Sequence, residues 1–187
     1  MKILLSLILS LSTYLYGYAI LPTQFHFRHY NIENGISSNN ISSILQDQKG
    51  FIWISTDNGL SRFDGNQFTF YQKSNPLYSN LHANSINTIC ETNTNELWIG
   101  TENGVYIYNQ IQDTFTPFTQ KTNNNIKISS WINYIIQDKE KNIWIATRKQ
   151  GVFQYNTQTN KLIQYEIPEN GNIIIRLPVS YTHLRAH

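Results

Sequence analysis

The chain has 187 residues, of which 40% are apolar, 13% aromatic and 14% charged, with a formal net charge of +2. So weak a charge, with no Lys/Arg cluster, excludes a nucleic-acid footprint. One cysteine, Cys90, excludes an internal disulfide and reads as a small buried hydrophobe.

The N-terminus carries Lys2, an apolar run over 3–15 and a small-x-small site at Gly17-Tyr18-Ala19. This pattern predicts a secretory signal peptide over 1–19 and an exported, periplasmic chain. The run is shorter than the about 20 apolar residues of a membrane span. An uncleaved anchor is the alternative. Over 20–40, Phe25-His-Phe-Arg-His-Tyr30 and a loop ending at Asn40 resemble the last strand and exit loop of the units that follow.

A segment then recurs three times. It reads Phe51-Ile-Trp-Ile-Ser-Thr-Asp-Asn-Gly-Leu60, Leu97-Trp-Ile-Gly-Thr-Glu-Asn-Gly-Val105 and Ile143-Trp-Ile-Ala-Thr-Arg-Lys-Gln-Gly-Val152. Trp53, Trp98 and Trp144 are 45 and 46 residues apart, and Thr56, Thr101, Thr147 and Gly59, Gly104, Gly151 follow in step. Around each copy lie four short strand patterns. They are predicted at 41–47, 51–56, 60–63 and 68–71 in the first unit. The second has 86–91, 97–101, 105–108 and 115–118, and the third 132–138, 143–147, 152–155 and 162–165. The second strands are apolar on successive residues, so both of their faces are buried. Asn58-Gly59 and Asp64-Gly65 predict tight hairpins of type I′, which need positive φ at both central residues. The third unit lengthens its turn to Arg148-Lys149-Gln150-Gly151.

Four strands per period of about 45 residues predict an all-β fold, a β-propeller fragment of about three four-stranded antiparallel blades plus an N-terminal closing strand. The blades are expected over 41–85, 86–131 and 132–176, the last with the start of a further unit at Ile173-Ile174-Ile175. The closing strand would join the outer edge of a last blade and protect it. Residues 177–187 match no repeat position. They resemble translated adapter sequence and read as a non-native tail.

No catalytic constellation stands out: there is no nucleophile elbow, phosphate loop or metal-spaced cluster, so neither a cofactor nor a metal is implied. His26 and His29, three apart on a strand, would face opposite sides. Asp47 and Asp138 end first strands and read as Asx-turn caps. Thr92 stands at their position in the second unit, which argues against catalysis. The three repeat tryptophans read as blade cores.

Loops from fourth to first strand and from second to third strand share one face of a propeller. The first class places Asn39, Asn40, His82, Asn84, Ser85, Ser130 and Trp131 there. The second places Asp57, Asn58, Glu102, Asn103, Arg148 and Lys149. Asn40, His82, Asn84, Ser85, Trp131, Glu102 and Arg148 are the candidate ligand-binding set, an aromatic to stack on a sugar and polar groups for its hydroxyls. Packing of Trp131 between blades is the structural alternative.

The run from Asn34-Gly35-Ile-Ser-Ser-Asn-Asn-Ile41 through Asp47, Gly50, Trp53, Thr56, Gly59, Phe63 and Gly65 to Phe68 resembles the two-component regulator propeller repeats. The resemblance covers about Phe25 to Tyr165. It implies the periplasmic sensor half of a hybrid histidine-kinase regulator. There, two propellers of about seven blades precede an immunoglobulin-like domain, a membrane helix, a kinase and response-regulator parts. It further implies an oligosaccharide ligand, a homodimer, and partners in the remaining blades and the downstream kinase. An exported propeller enzyme, a lyase or glycosidase, and a protein-interaction scaffold are the alternatives.

Overall fold

The structure is a computed structural model and describes residues 26–73, 81–118 and 126–165. The expected signal peptide, the segment at Ile173 and the tail over 177–187 lie outside the described residues.

Twelve strands form three antiparallel sheets of four, each in sequence order. Blade 1 holds β1 (Ile41–Gln46), β2 (Ile52–Thr56), β3 (Gly59–Phe63) and β4 (Phe68–Tyr71). Blade 2 holds β5 (Ile86–Glu91), β6 (Leu97–Thr101), β7 (Gly104–Asn109) and β8 (Thr114–Pro117). Blade 3 holds β9 (Ile132–Gln137), β10 (Asn142–Thr147), β11 (Val152–Asn156) and β12 (Lys161–Tyr165). The first strands are neighbours across the blades, β1 to β5 and β5 to β9, so they form the inner rim.

The tryptophans occupy one register. Trp53 pairs with Arg62, Trp98 with Ile107 and Trp144 with Gln154, each on the second strand of its blade. Trp53 stacks on Tyr71 of its own fourth strand, centroids 5.9 Å apart, and Tyr108 of blade 2 meets it edge-on at 4.9 Å. Trp98 repeats this with Phe118 at 4.9 Å and Tyr155 of blade 3 at 5.8 Å. Trp53 and Trp98 are each 1% exposed. Removing so large a buried ring costs about 3–5 kcal/mol. Trp144 stacks on Tyr165 at 5.7 Å but meets no third-strand tyrosine among the described residues, and it is only half-buried.

Polar links repeat with the same period. Ser42 and Asn87 sit at irregularities of the first-to-second strand register. A bulge of this kind re-aims a side chain. The Ser42 hydroxyl donates to the Ile86 carbonyl, and Asn87 Nδ2 donates to the Ile132 carbonyl at 3.0 Å, each reaching the next blade. At the opposite end, Gln48 N–H donates to the Glu91 carboxylate at 3.1 Å and Asn93 N–H to Gln137 Oε1 at 2.7 Å. Close approach needs small residues on the second strand, and Ser55, Gly100 and Ala146 supply them. A Cβ on Gly100 would lie 2.5 Å from Thr88 Cγ2 and 2.8 Å from Ile132 Cγ2 of the next blade.

Only the first junction carries an ion pair among the described residues. Arg62 Nη1 lies 3.4 Å from Asp113 Oδ1 and donates to the Tyr108 hydroxyl at 2.7 Å. Its guanidinium covers the Phe51, Trp53 and Tyr71 rings at 5.1–5.7 Å. Tyr71 and Tyr108 both donate to Asp113 Oδ1.

Two expectations change. Residues 26–30 form no strand in the described part of the segment expected to close the ring, so His26 and His29 are not strand neighbours there. A strand exists only as one rung of a ladder, and the blade such a strand would complete is not among the three described. Instead a 3-10 turn over Ile32–Asn34 follows, and Tyr30 packs on Phe63 and Phe68 with centroids 5.3 and 5.4 Å away. Phe63 holds the register position of Tyr108 and Tyr155, so Tyr30 covers the surface that a tryptophan covers at the other two junctions. The second change is in the hairpins. Gly59 has φ +113° and Gly65 +98°, but Asn58 and Asp64 are not among the residues of positive φ, so the turns are not type I′.

Candidate functional site

The second-to-third strand turns are built around a threonine. The Thr56 hydroxyl accepts from Asn58 N–H at 3.1 Å and donates to the Gly59 carbonyl at 2.9 Å. Thr101 does the same with Asn103 N–H at 3.0 Å and Gly104 O at 2.9 Å. In blade 3 the loop is one residue longer, and Thr147 accepts from Gln150 N–H at 2.9 Å and donates to Gly151 O at 2.7 Å. The hydroxyl fixes the turn, so the backbone needs positive φ only at the glycine. This explains the departure from type I′ and the recurrence of Thr and Gly.

The sequence-selected loop residues come together on one face, as the strand order requires. Most of their polar groups are engaged in bracing the loops. Asn40 Nδ2 donates to Asp57 Oδ2 at 2.8 Å. Hydrogen bonds from Ser38 and then Asn40 hold the Asp57 carboxyl below the usual carboxylate range. In blade 2 the Glu102 carboxylate accepts Asn84 N–H at 3.1 Å and Ser85 N–H, while Glu102 N–H donates to the Ser85 carbonyl at 3.2 Å. In blade 3 the brace moves to Gln150, whose Oε1 accepts Ser129 N–H at 2.9 Å and Ser130 N–H at 3.0 Å. Its Nε2 donates to the Lys127 carbonyl at 3.0 Å. Gln150 was not selected from sequence. Its signal was the extra turn residue, which places it where an amide can do the work of Asp57 and Glu102.

Asn40, Glu102 and the backbones of Asn84 and Ser85 are therefore bracing groups. The side chains left over on this face are those of His82, Asn84, Asn103, Trp131, Arg148 and Lys149. Trp131 is 37% exposed. Its carbonyl accepts Arg148 N–H at 2.8 Å, and Ser130 Oγ accepts Lys149 N–H at 3.2 Å. The backbone thus joins the two loops of blade 3 and leaves the indole, guanidinium and ammonium side chains exposed.

The opposite face is structural. Asp47 Oδ1 accepts Lys49 N–H at 3.0 Å and Phe51 N–H at 2.9 Å, the expected turn cap. Its Oδ2 also accepts the Trp53 indole N–H, a partner that sequence reading missed. Asp138 does the same for Asn142 N–H at 2.8 Å and for Trp144 at 2.7 Å. Burial alone would raise the Asp138 carboxyl, but the donors from Asn142 and Trp144 outweigh it and hold it low. Cys90 is half-buried in the packing between blades 2 and 3, and burial pushes its thiol up. Among the described residues no three His, Cys, Asp or Glu side chains are grouped to hold a metal ion.

Residues 35–58, 80–103 and 127–149 match the two component regulator propeller repeat. The extracellular domain of a hybrid two component system, BT3049 from B. thetaiotaomicron, superposes with a TM-score of 0.63 at 26% identity, over 74% of this chain and 20% of that one. The corresponding domain of BT4673 from the same organism gives a TM-score of 0.57 at 28% identity, over 65% of this chain and 17% of that one. Histidine kinase P4 of Formosa agariphila is 35% identical over 54 residues, which are 29% of this chain and 4% of that protein. The chain thus spans about a fifth of each of these two extracellular domains and a small part of the curated kinase. The chain carries three two-component regulator propeller repeats, folded as three blades like those of the extracellular domains of hybrid two-component systems.

Proposed function

We propose that this chain is part of a periplasmic ligand-sensing propeller, exported by its N-terminal signal peptide, and that an oligosaccharide is its ligand. In this reading a histidine kinase lies elsewhere in the intact protein, the sensor works as a homodimer, and these blades perform no catalysis themselves. The observation that carries the reading is the braced face. At all three blades the fourth-to-first loop is tied to the second-to-third turn. A face held this firmly loses little entropy when a ligand arrives. Its exposed groups, Trp131 with His82, Asn103, Arg148 and Lys149, suit stacking on a sugar ring and hydrogen bonding to hydroxyls.

Calorimetric titration of the chain against a panel of neutral and acidic oligosaccharides, beside a glycan-cleavage assay, tests this. Binding without cleavage is expected, with a melting point that rises with ligand concentration by mass action. Cleavage of a glycan would establish the enzyme alternative instead.

A further inference from the structure

Blade 3 departs from the repeat in two places, and the two departures touch. The residue before the first strand is Asn40 in blade 1 and Ser85 in blade 2, but Trp131 in blade 3. The residue after the turn threonine is Asp57 in blade 1 and Glu102 in blade 2, each an acid that braces its loop. In blade 3 that place holds Arg148, with Lys149 after it, and the hydrogen bond from Arg148 N–H to the Trp131 carbonyl joins the two departures at 2.8 Å.

Neither the Trp131 nor the Arg148 side chain takes part in the brace. The extra residue lets Gln150 take over the brace, accepting the Ser129 and Ser130 N–H groups as Glu102 accepts those of Asn84 and Ser85. Among the described residues the Arg148 and Lys149 side chains make no hydrogen bond and no ion pair, and both are exposed. No acid on the face pairs with them directly, because the Asp57 and Glu102 carboxylates accept from their own loops. A planar guanidinium and an ammonium on the loop whose backbone is tied to that of Trp131 suit an anion on a ring: the indole takes the ring face and the cations take the charge.

We propose that Trp131, Arg148 and Lys149 form a subsite for an anionic saccharide, a sugar bearing a carboxylate or a sulfate. This rests on the reading of the braced face as the ligand face and adds the charge of the ligand. The occupant is an acidic sugar rather than nucleic acid, since two cations on a chain of net charge +2 cannot track a phosphate backbone.

The test is calorimetric titration of the 187-residue chain with trigalacturonate, a sulfated chondroitin disaccharide and maltotriose. The same titrations are run on the Arg148→Gln/Lys149→Gln double variant and on Trp131→Ala. Circular dichroism checks that each variant stays folded, which the exposure of all three side chains favours. The expected result is binding of at least one acidic sugar, no measurable binding of maltotriose, and a loss of about tenfold or more in the double variant. Affinity should also fall as salt rises, because an exposed ionic contact is screened. The carboxylated and sulfated probes separate the two sources of charge. Binding of maltotriose in preference to both acidic sugars, or acidic-sugar binding unchanged in the double variant, overturns the subsite and leaves the sensor reading standing. No binding by any of the three removes both from these blades.

Discussion

The indole N–H of Trp53 donates to the Asp47 carboxylate at 2.8 Å, tying the centre of blade 1 to the turn that precedes its second strand. The other oxygen of Asp47 caps that turn through Lys49 and Phe51 N–H. One side chain thereby couples turn geometry to core packing, and Asp138 repeats the device with Trp144. Blade 2 has Thr92 instead, which caps its turn through Glu96 N–H at 3.1 Å, and the Glu96 carboxylate takes the Trp98 indole at a longer 3.5 Å.

Replacing Asp47 by Ala strands a buried indole N–H and frees the turn. The expected loss is about 2 kcal/mol, within the about 1–3 kcal/mol that an unsatisfied buried donor costs. In a Trp53→Phe background, which has no N–H to strand, the same change should cost less. Urea denaturation of the four proteins in the cycle measures the difference. Equal costs in both backgrounds would show that Asp47 acts on the turn alone.

The tyrosines at the first junction set the alkaline limit. Burial pushes Tyr108 up to about 12, and burial pushes Tyr71 up as well. An unfolded phenol ionises near about 10. The stability these raised values contribute is complete below pH 10 and is lost as pH rises toward 12, because the unfolded chain releases protons that the folded one holds. Melting temperature should fall across that window, and less steeply in Tyr108→Phe. On the acid side the sign reverses for Asp138. Its depressed value contributes stability that is present above about pH 4 and lost below it. A melting temperature flat from pH 9 to 12 would contradict the alkaline account.

Gly104 sits at φ +110°, and a Cβ there would lie 2.6 Å from the Ile128 carbonyl oxygen of the neighbouring loop. Gly104→Ala should therefore cost about 1–3 kcal/mol in backbone strain, with the clash added. It should loosen the loop that carries Trp131 as well. Hydrogen exchange is the measurement, with faster exchange at Ser129, Ser130 and Arg148 than in the parent chain. Unchanged protection at those amides would mean that the turn and the loop are independent.

The period, strand order and most strand limits were legible because turn residues and apolar runs recur in register. Expected and observed bounds for 68–71, 86–91 and 97–101 coincide with β4, β5 and β6. The Asp47 cap was legible for the same reason. Three things were not. Residues 26–30 have the composition of a strand but form none here, because pairing depends on a partner edge that composition does not report. The turn type was misread because Asn-Gly signals type I′ only when no nearby hydroxyl fixes the turn, and Thr56 does. The candidate site was half legible. Strand order put the right loops on one face, but which polar groups brace the loops depends on contacts between residues 17 or more apart, such as Asn40 with Asp57 and Asn84 with Glu102.

Among the described residues Trp144 meets no third-strand tyrosine, and in the same blade Tyr134, paired with Ala146, is 48% exposed. In variants retaining one repeat tryptophan each, acrylamide should quench Trp144 most. Exposed apolar side chains such as Tyr134 and Tyr165 also favour association. Sedimentation velocity on the parent chain should show concentration-dependent species, reduced by Tyr134→Lys. A monodisperse monomer with three equally protected tryptophans would mean that these side chains are covered.

In the proposed reading this propeller senses a ligand for a kinase elsewhere in the intact protein. The most direct measurement is autophosphorylation of the full-length product of the gene in membranes, with and without the oligosaccharide that binds the blades. The ligand is expected to change the phosphorylation rate, and Trp131→Ala to shift the response to higher ligand concentration. A full-length product without kinase activity, or a rate unaffected by saturating ligand, would contradict it.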